Sequence, residues 1–151
     1  MARLLLPTYP TRMFTPQQIE GANAMSSGTL LENLGIRFVP SAPGTFAATM
    51  PVEGRTHQPM GLLHGGATAA LAESLGSTGS YMLIDMRTQA VVGIEVNANH
   101  LKGVKTGNVT ATGTLVHKGR TTHVWDIRVT DDRDSLVAVC RITNLIIARD
   151  R

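Results

Sequence analysis

From residue 122 to 129 apolar and polar side chains alternate. His123, Trp125, Ile127 and Val129 share one side, and Thr122, Val124, Asp126 and Arg128 the other. A period of two marks a strand with one face turned to a core. Strands are predicted at about 90–102, 108–117, 121–130 and 136–148. The turn segments 102–107, 118–120 and 131–135 separate them, and connections this short predict antiparallel neighbours, a meander. Residues 65–82 follow a different rule, being small and apolar on nearly every side of a helix. A helix without a polar face must be buried nearly all round.

The N-terminal part is punctuated by local signals. Residues 1–13 read as a loose arm. Thr15-Pro16-Gln17-Gln18 has a threonine N-cap, a proline at the first helical position and a glutamine at the capping-box position, so a short helix runs to about Ala24. A second short turn of helix at 27–34 ends at Gly35, and a hairpin at 36–40 and 45–52 turns around Ala42-Pro43-Gly44. These elements predict an α+β fold, one long central helix wrapped by a curved antiparallel sheet. The arm and first helix (1–26) precede a main domain (27–151).

Composition changes this picture little. A chain of 151 residues that is 42% hydrophobic and 17% charged suits one globular core. No run approaches the roughly 20 apolar residues of a membrane helix, and Leu4-Leu5-Leu6 stops at Pro7, too short for a signal sequence. The expectation is a cytoplasmic protein without a membrane partner. The single cysteine, Cys140, sits in an apolar strand and reads as a buried, inert thiol. The net charge of +3 is scattered and aromatics are only 4%, which argues against nucleic acid and leaves room for a small anionic ligand.

Candidate chemistry gathers in residues 57–77. Glutamates commonly sit on the solvent side of helices, but Ala69, Ala70, Leu71, Ala72 and Leu75 leave Glu73 no polar face to belong to. An interior carboxylate is costly without a partner or a task. Ser77, four residues on, can hydrogen-bond it. His64, Gly65 and Gly66 open the helix, where backbone N–H groups are free and the partial charge is positive. The Gly65 N–H can polarise a carbonyl oxygen. His64 and Gln58 are either a cap and a loop polar residue or members of the site. Gly65 and Glu73 are eight residues apart in sequence, about 12 Å along a helix. If both act on one thioester they come from different chains, in a homodimer with shared active sites. A serine-hydrolase elbow, a metal-ligand spacing among the histidines and a phosphate loop are all missing, so no metal is expected.

Gly61-Leu-Leu-His-Gly-Gly-Ala67, Leu71-Ala-Glu-Ser-Leu-Gly-Ser77 and Gly93-Ile-Glu-Val-Asn-Ala-Asn-His100 resemble the hotdog-fold acyl-CoA thioesterases. The branch is the one that uses a helix glutamate and includes the phenylacetate-pathway and 4-hydroxybenzoyl-CoA thioesterases. Within it the chain is most similar to the 1,4-dihydroxy-2-naphthoyl-CoA thioesterases and the enterobactin proofreading thioesterases. The resemblance covers most of 30–147. It implies hydrolysis of an aryl- or medium-chain acyl-CoA with no cofactor, coenzyme A being part of the substrate. It also implies a homotetramer built as a dimer of dimers. Glu73 would be nucleophile or general base, Gly65 with Gln58 would hold the carbonyl, His64 would order the site, and Ser77 would orient the carboxylate or a water. His100 would line the acyl or pantetheine region. Lys118, Gly119, Arg120 and Thr121 would hold the nucleotide phosphates, with Lys102 a further basic candidate and the N–H groups of the Gly119 turn as free donors. Ser77 stands where the 4-hydroxybenzoyl branch has threonine. Hydrolysis on an acyl- or aryl-carrier protein, and a non-catalytic acyl-CoA-binding hotdog module, are the alternatives. The intact residue set argues against the second.

Overall fold

The computed structural model describes residues 13–149, so the arm expected at 1–13 lies almost wholly outside them. Two helices come first, α1 (Pro16–Met25) and α2 (Leu30–Leu34), then the strands β1 (Arg37–Val39) and β2 (Phe46–Pro51). After a 3-10 turn at Gly54–Thr56 come the long helix α3 (Gly65–Tyr81) and strands β3 (Gln89–His100), β4 (Asn108–Lys118), β5 (Thr122–Asp131) and β6 (Leu136–Ala148). The local signals account for the boundaries. Thr15 and Gln18 close the capping box of α1, the Thr15 hydroxyl accepting from the Gln18 N–H at 3.3 Å and the Gln18 side chain from the Thr15 N–H at 2.9 Å. Gly35 ends α2 at φ 69°, a left-handed conformation that glycine adopts without a Cβ penalty.

The six strands of the described residues form one antiparallel sheet in the order β1-β2-β4-β5-β6-β3. This corrects the expected meander. β3 and β4 are not neighbours: β3 lies at the far edge beside β6, and β4 pairs with β2. The short segment 101–107 is a bridge across the end of the sheet. Leu101 and Lys102 donate to the Val137 carbonyl, Val104 accepts from Leu63, and Gly107 accepts from Val52. These bonds tie the segment to β6, to the loop before α3 and to the residue after β2, not to a hairpin partner.

The helix lies on the concave side of the sheet. Ala67, Thr68, Leu71, Ala72, Leu75, Gly76, Gly79 and Ser80 are buried, a stripe at the spacing of one helix face. The small residues let the helix come close. A Cβ at Gly76 would overlap Ile142, and one at Gly79 would come within 2.7 Å of the Trp125 ring. Trp125, Leu71, Leu75, Ile127 and Ile142 have no exposed surface; burying each large apolar side chain contributes about 1.5–3 kcal/mol. The alternation read in β5 holds, with His123, Trp125, Ile127 and Val129 all buried. Cys140 is buried too, and burial pushes its thiol up to about 11. The expectation that α3 is buried nearly all round is not met within one chain. Glu73, Ser74, Ser77 and Thr78 face a side that stays half-open. α1, grouped by sequence with the arm, shares the main core through Ala22 and the partly buried Ile19.

Candidate active site

α3 carries both parts of the candidate site, one at its start and one in its middle. At the start, His64 is the N-cap, and its Nδ1 accepts the Gly66 N–H at 2.8 Å. Among the described residues nothing in the chain accepts the Gly65 N–H, so this donor is free at the positive end of the helix. The His100 ring, from the last residue of β3, covers Gly65 so closely that a Cβ there would lie 2.9 Å from its Nε2. The preceding loop is held to the 101–107 bridge by the bonds Leu63 N–H to Val104 O at 2.8 Å and His57 Nε2 to Lys105 O at 2.9 Å. Gln58 is half-buried in this loop, its side-chain oxygen accepting from the Met60 N–H. Gln58, Gly65, Thr68, His100 and Lys102 line a cleft of about 370 Å³.

The middle of the helix is organised around Glu73. Its carboxylate lies over Gly93 of β3, where any side chain would collide with Oε1. Gly93 is opposite Asn144 of β6, and a bulge follows at once, leaving Ile94 out of register. Bulges re-aim a strand where a site needs it. Ser77 Oγ lies 3.2 Å from Glu73 Oε1 and 3.1 Å from Asn144 Oδ1. Asn144 has no exposed surface. The sequence reading passed over both Gly93 and Asn144 as site residues. The only signals were a glycine in a long apolar strand and a lone amide in Ile142-Thr-Asn-Leu-Ile-Ile147.

Beside Ser77 a groove of about 300 Å³ opens between α3 and the two short helices, lined by Ala22, Met25, Leu31, Tyr81 and Val91. The structure does not bring Glu73 to Gly65: they are the ninth and first residues of one straight helix, about 12 Å apart. Nor does it gather the basic candidates. Lys118, Arg120 and Thr121 lie exposed at the turn from β4 into β5, whereas Lys102 lies at the other end of β5, 2.6 Å from Asp131. Lys102 and the backbone N–H groups of Arg133 and Ser135 hold the Asp131 carboxyl down at about 2. The Gly119 N–H, expected as a free donor, already bonds the Thr122 carbonyl at 2.8 Å.

Residues 60–138 match the thioesterase superfamily. The chain is 42% identical over 129 residues to the 1,4-dihydroxy-2-naphthoyl-CoA hydrolase of Escherichia coli, covering 85% of this chain and 94% of that one. It is 43% identical over 128 residues to the proofreading thioesterase EntH of Cronobacter turicensis, covering 85% and 93%. The crystal structure of a mutant thioesterase from Pseudomonas aeruginosa superposes with a TM-score of 0.87 at 45% identity, covering 92% of this chain and 99% of that one.

Proposed function

The chain belongs to the thioesterase superfamily, has its hotdog fold and is a thioester hydrolase, and from that premise we propose that it cleaves an aryl- or medium-chain acyl-CoA at sites shared by two subunits. The observation that carries this reading is the division of the chemistry along α3. The free Gly65 N–H and the Glu73 carboxylate are too far apart to meet in one chain, yet both lie beside β3. Among the described residues that strand is an edge of the sheet, with Val92, Ile94 and Val96 exposed. Two such edges joined about a two-fold axis place two α3 helices side by side and antiparallel, the start of one facing the middle of the other.

In such a site the Gly65 N–H, with Gln58, holds the thioester oxygen where negative charge develops. Glu73 of the other subunit either attacks the carbonyl, forming an anhydride that water opens, or takes a proton from attacking water. Thiolate leaves as CoA in both cases. His64 keeps the helix start in register. The groove lined by Met25, Leu31, Tyr81 and Val91 is apolar and adjoins Ser77, which supports an aryl or medium-length acyl group. Lys118 and Arg120 offer charge to the nucleotide phosphates. The outer face of the sheet, where Val139 and Ile147 are exposed, offers a surface for a second dimer, and the same reading places the tetramer in the cytoplasm. The comparable similarity to the proofreading thioesterase supports a carrier-protein thioester as a second substrate to assay.

The experiment is a co-expression of two inactive variants. Glu73→Ala and Gly65→Val homodimers should each lose at least about 10²-fold in kcat on aryl-CoA esters. A verified heterodimer of the two collects both lesions in one site and neither in the other, so it should recover about half of wild-type activity per dimer. Glu73→Ala protein retaining more than about a tenth of wild-type kcat would overturn the role of the carboxylate. Absence of recovery in the heterodimer would overturn the shared site.

A further inference from the structure

Asn144 stands 67 residues from Ser77 in sequence, on a strand that faces the core. Its amide is fully constrained. Nδ2 donates to the Gly76 carbonyl at 3.0 Å and to Ser80 Oγ at 2.9 Å, which uses both of its protons. The flipped amide would set Oδ1 against the Gly76 carbonyl oxygen, acceptor against acceptor, so the orientation is determined by the chain. Ser80 Oγ is itself anchored, accepting from Trp125 Nε1 at 2.9 Å. Ser80, Asn144 and Trp125 are all without exposed surface. The outcome is a carbonyl oxygen held in one direction, toward Ser77.

Ser77 has one hydroxyl proton and two acceptors for it, Glu73 Oε1 at 3.2 Å and Asn144 Oδ1 at 3.1 Å. A proton given to one is withheld from the other. While Ser77 donates to Glu73, the carboxylate spends part of its electron density on an internal partner. When the hydroxyl turns to Asn144, Oε1 no longer accepts that proton and is left with its full basicity.

We propose that Asn144 is a positioning residue for hydrolysis: it accepts the Ser77 proton and so releases Glu73 Oε1 to act on the thioester or its water. The proposal rests on the reading of Glu73 as the reacting carboxylate. Asn144 touches neither substrate nor carboxylate and acts only through the serine rotor. No atom is transferred; one O–H bond rotates.

The test is a double-mutant cycle between positions 144 and 77, read as kcat and KM for an aryl-CoA ester. Asn144→Leu should lower kcat about tenfold, the worth of one hydrogen bond, with KM within about twofold of wild type. In a Ser77→Ala background, which has no rotor, the same change should cost less than about twofold in kcat. Equal losses in both backgrounds would overturn the proposal and leave Asn144 as a strut between β6 and α3. If Asn144→Leu does not fold, Ser80→Ala takes its place. It removes the anchor that aims the amide without touching Ser77, and the same background dependence is required of it. The cycle stands apart from the role of the carboxylate. If Glu73→Ala is inactive and the cycle is additive, only the Asn144 proposal fails. If Glu73→Ala is active, the underlying reading fails with it.

Discussion

At one edge of the sheet, β1 is three residues long, and Asn23 of α1 bonds both sides of its middle residue. Its Nδ2 donates to the Phe38 carbonyl at 2.9 Å, and its Oδ1 accepts the Phe38 N–H at 2.8 Å. At the opposite edge β3 runs for twelve residues, with Val92, Ile94 and Val96 exposed and no strand of the described residues beyond it. A long apolar edge is an invitation to pair. The sealed edge carries none of the candidate chemistry. The open one carries Gly93 under Glu73 and His100 over Gly65. The open apolar edge and the candidate chemistry therefore coincide.

The largest effect should come from breaking the open edge. Val92→Lys with Val96→Lys places like charges along both strands of a β3–β3 junction. The expected outcome is a folded monomer by circular dichroism and sedimentation, with kcat/KM at least about 10²-fold down because each site has lost half its residues. A fully active monomer would show that one chain holds a complete site. A smaller effect should follow from unsealing the other edge. Asn23→Ala leaves the Phe38 N–H and carbonyl without partners, at a cost of about 1–3 kcal/mol. It should lower Tm by several degrees while leaving dimer mass and kcat unchanged.

The smallest effect concerns the bridge that leaves β3. Asp131→Asn removes the partner of Lys102 and should lower Tm slightly at neutral pH. The carboxyl titrates at about 2 in the fold against 3.8 ordinarily. A depressed folded value means stability that is present above 3.8 and lost as pH falls toward 2. The Tm gap between wild type and Asp131→Asn should therefore be constant above about pH 5 and close as the solution is acidified through that window.

What was legible in the sequence was what is local. The capping box at Thr15–Gln18, the Gly35 stop, the length of α3 and the alternation in β5 are set by near neighbours, and each stands close to where the pattern puts it. Glu73 and Ser77 were legible because four residues is one helical turn. Strand order was not. Segment 101–107 is as short as a hairpin loop, and only its bonds to Val137, Leu63 and Val52 reveal that it crosses the sheet. Asn144 was hidden for the same reason, since its partners Gly76, Ser77 and Ser80 lie on α3. The separation of Lys102 from Lys118 and Arg120 follows from the length of β5, which no turn-based reading measures.

The strand order also dictates a sequence of events during folding. β4, β5 and β6 are joined through residues 119–121 and 132–135, so pairing them closes only small loops and forfeits little chain entropy. Whereas β3 reaches β6 through the short bridge 101–107 once β4, β5 and β6 have paired, adding β2 to β4 must close the chain across 52–107. Contacts at such separation are bought late in a folding reaction. By loop closure the three-strand ribbon is expected to pair first, the strand bearing Gly93 and His100 to follow through its short bridge, and β2 to join last. The border that carries Gly93 and His100 is then in place before the sheet is closed off at its β1–β2 end.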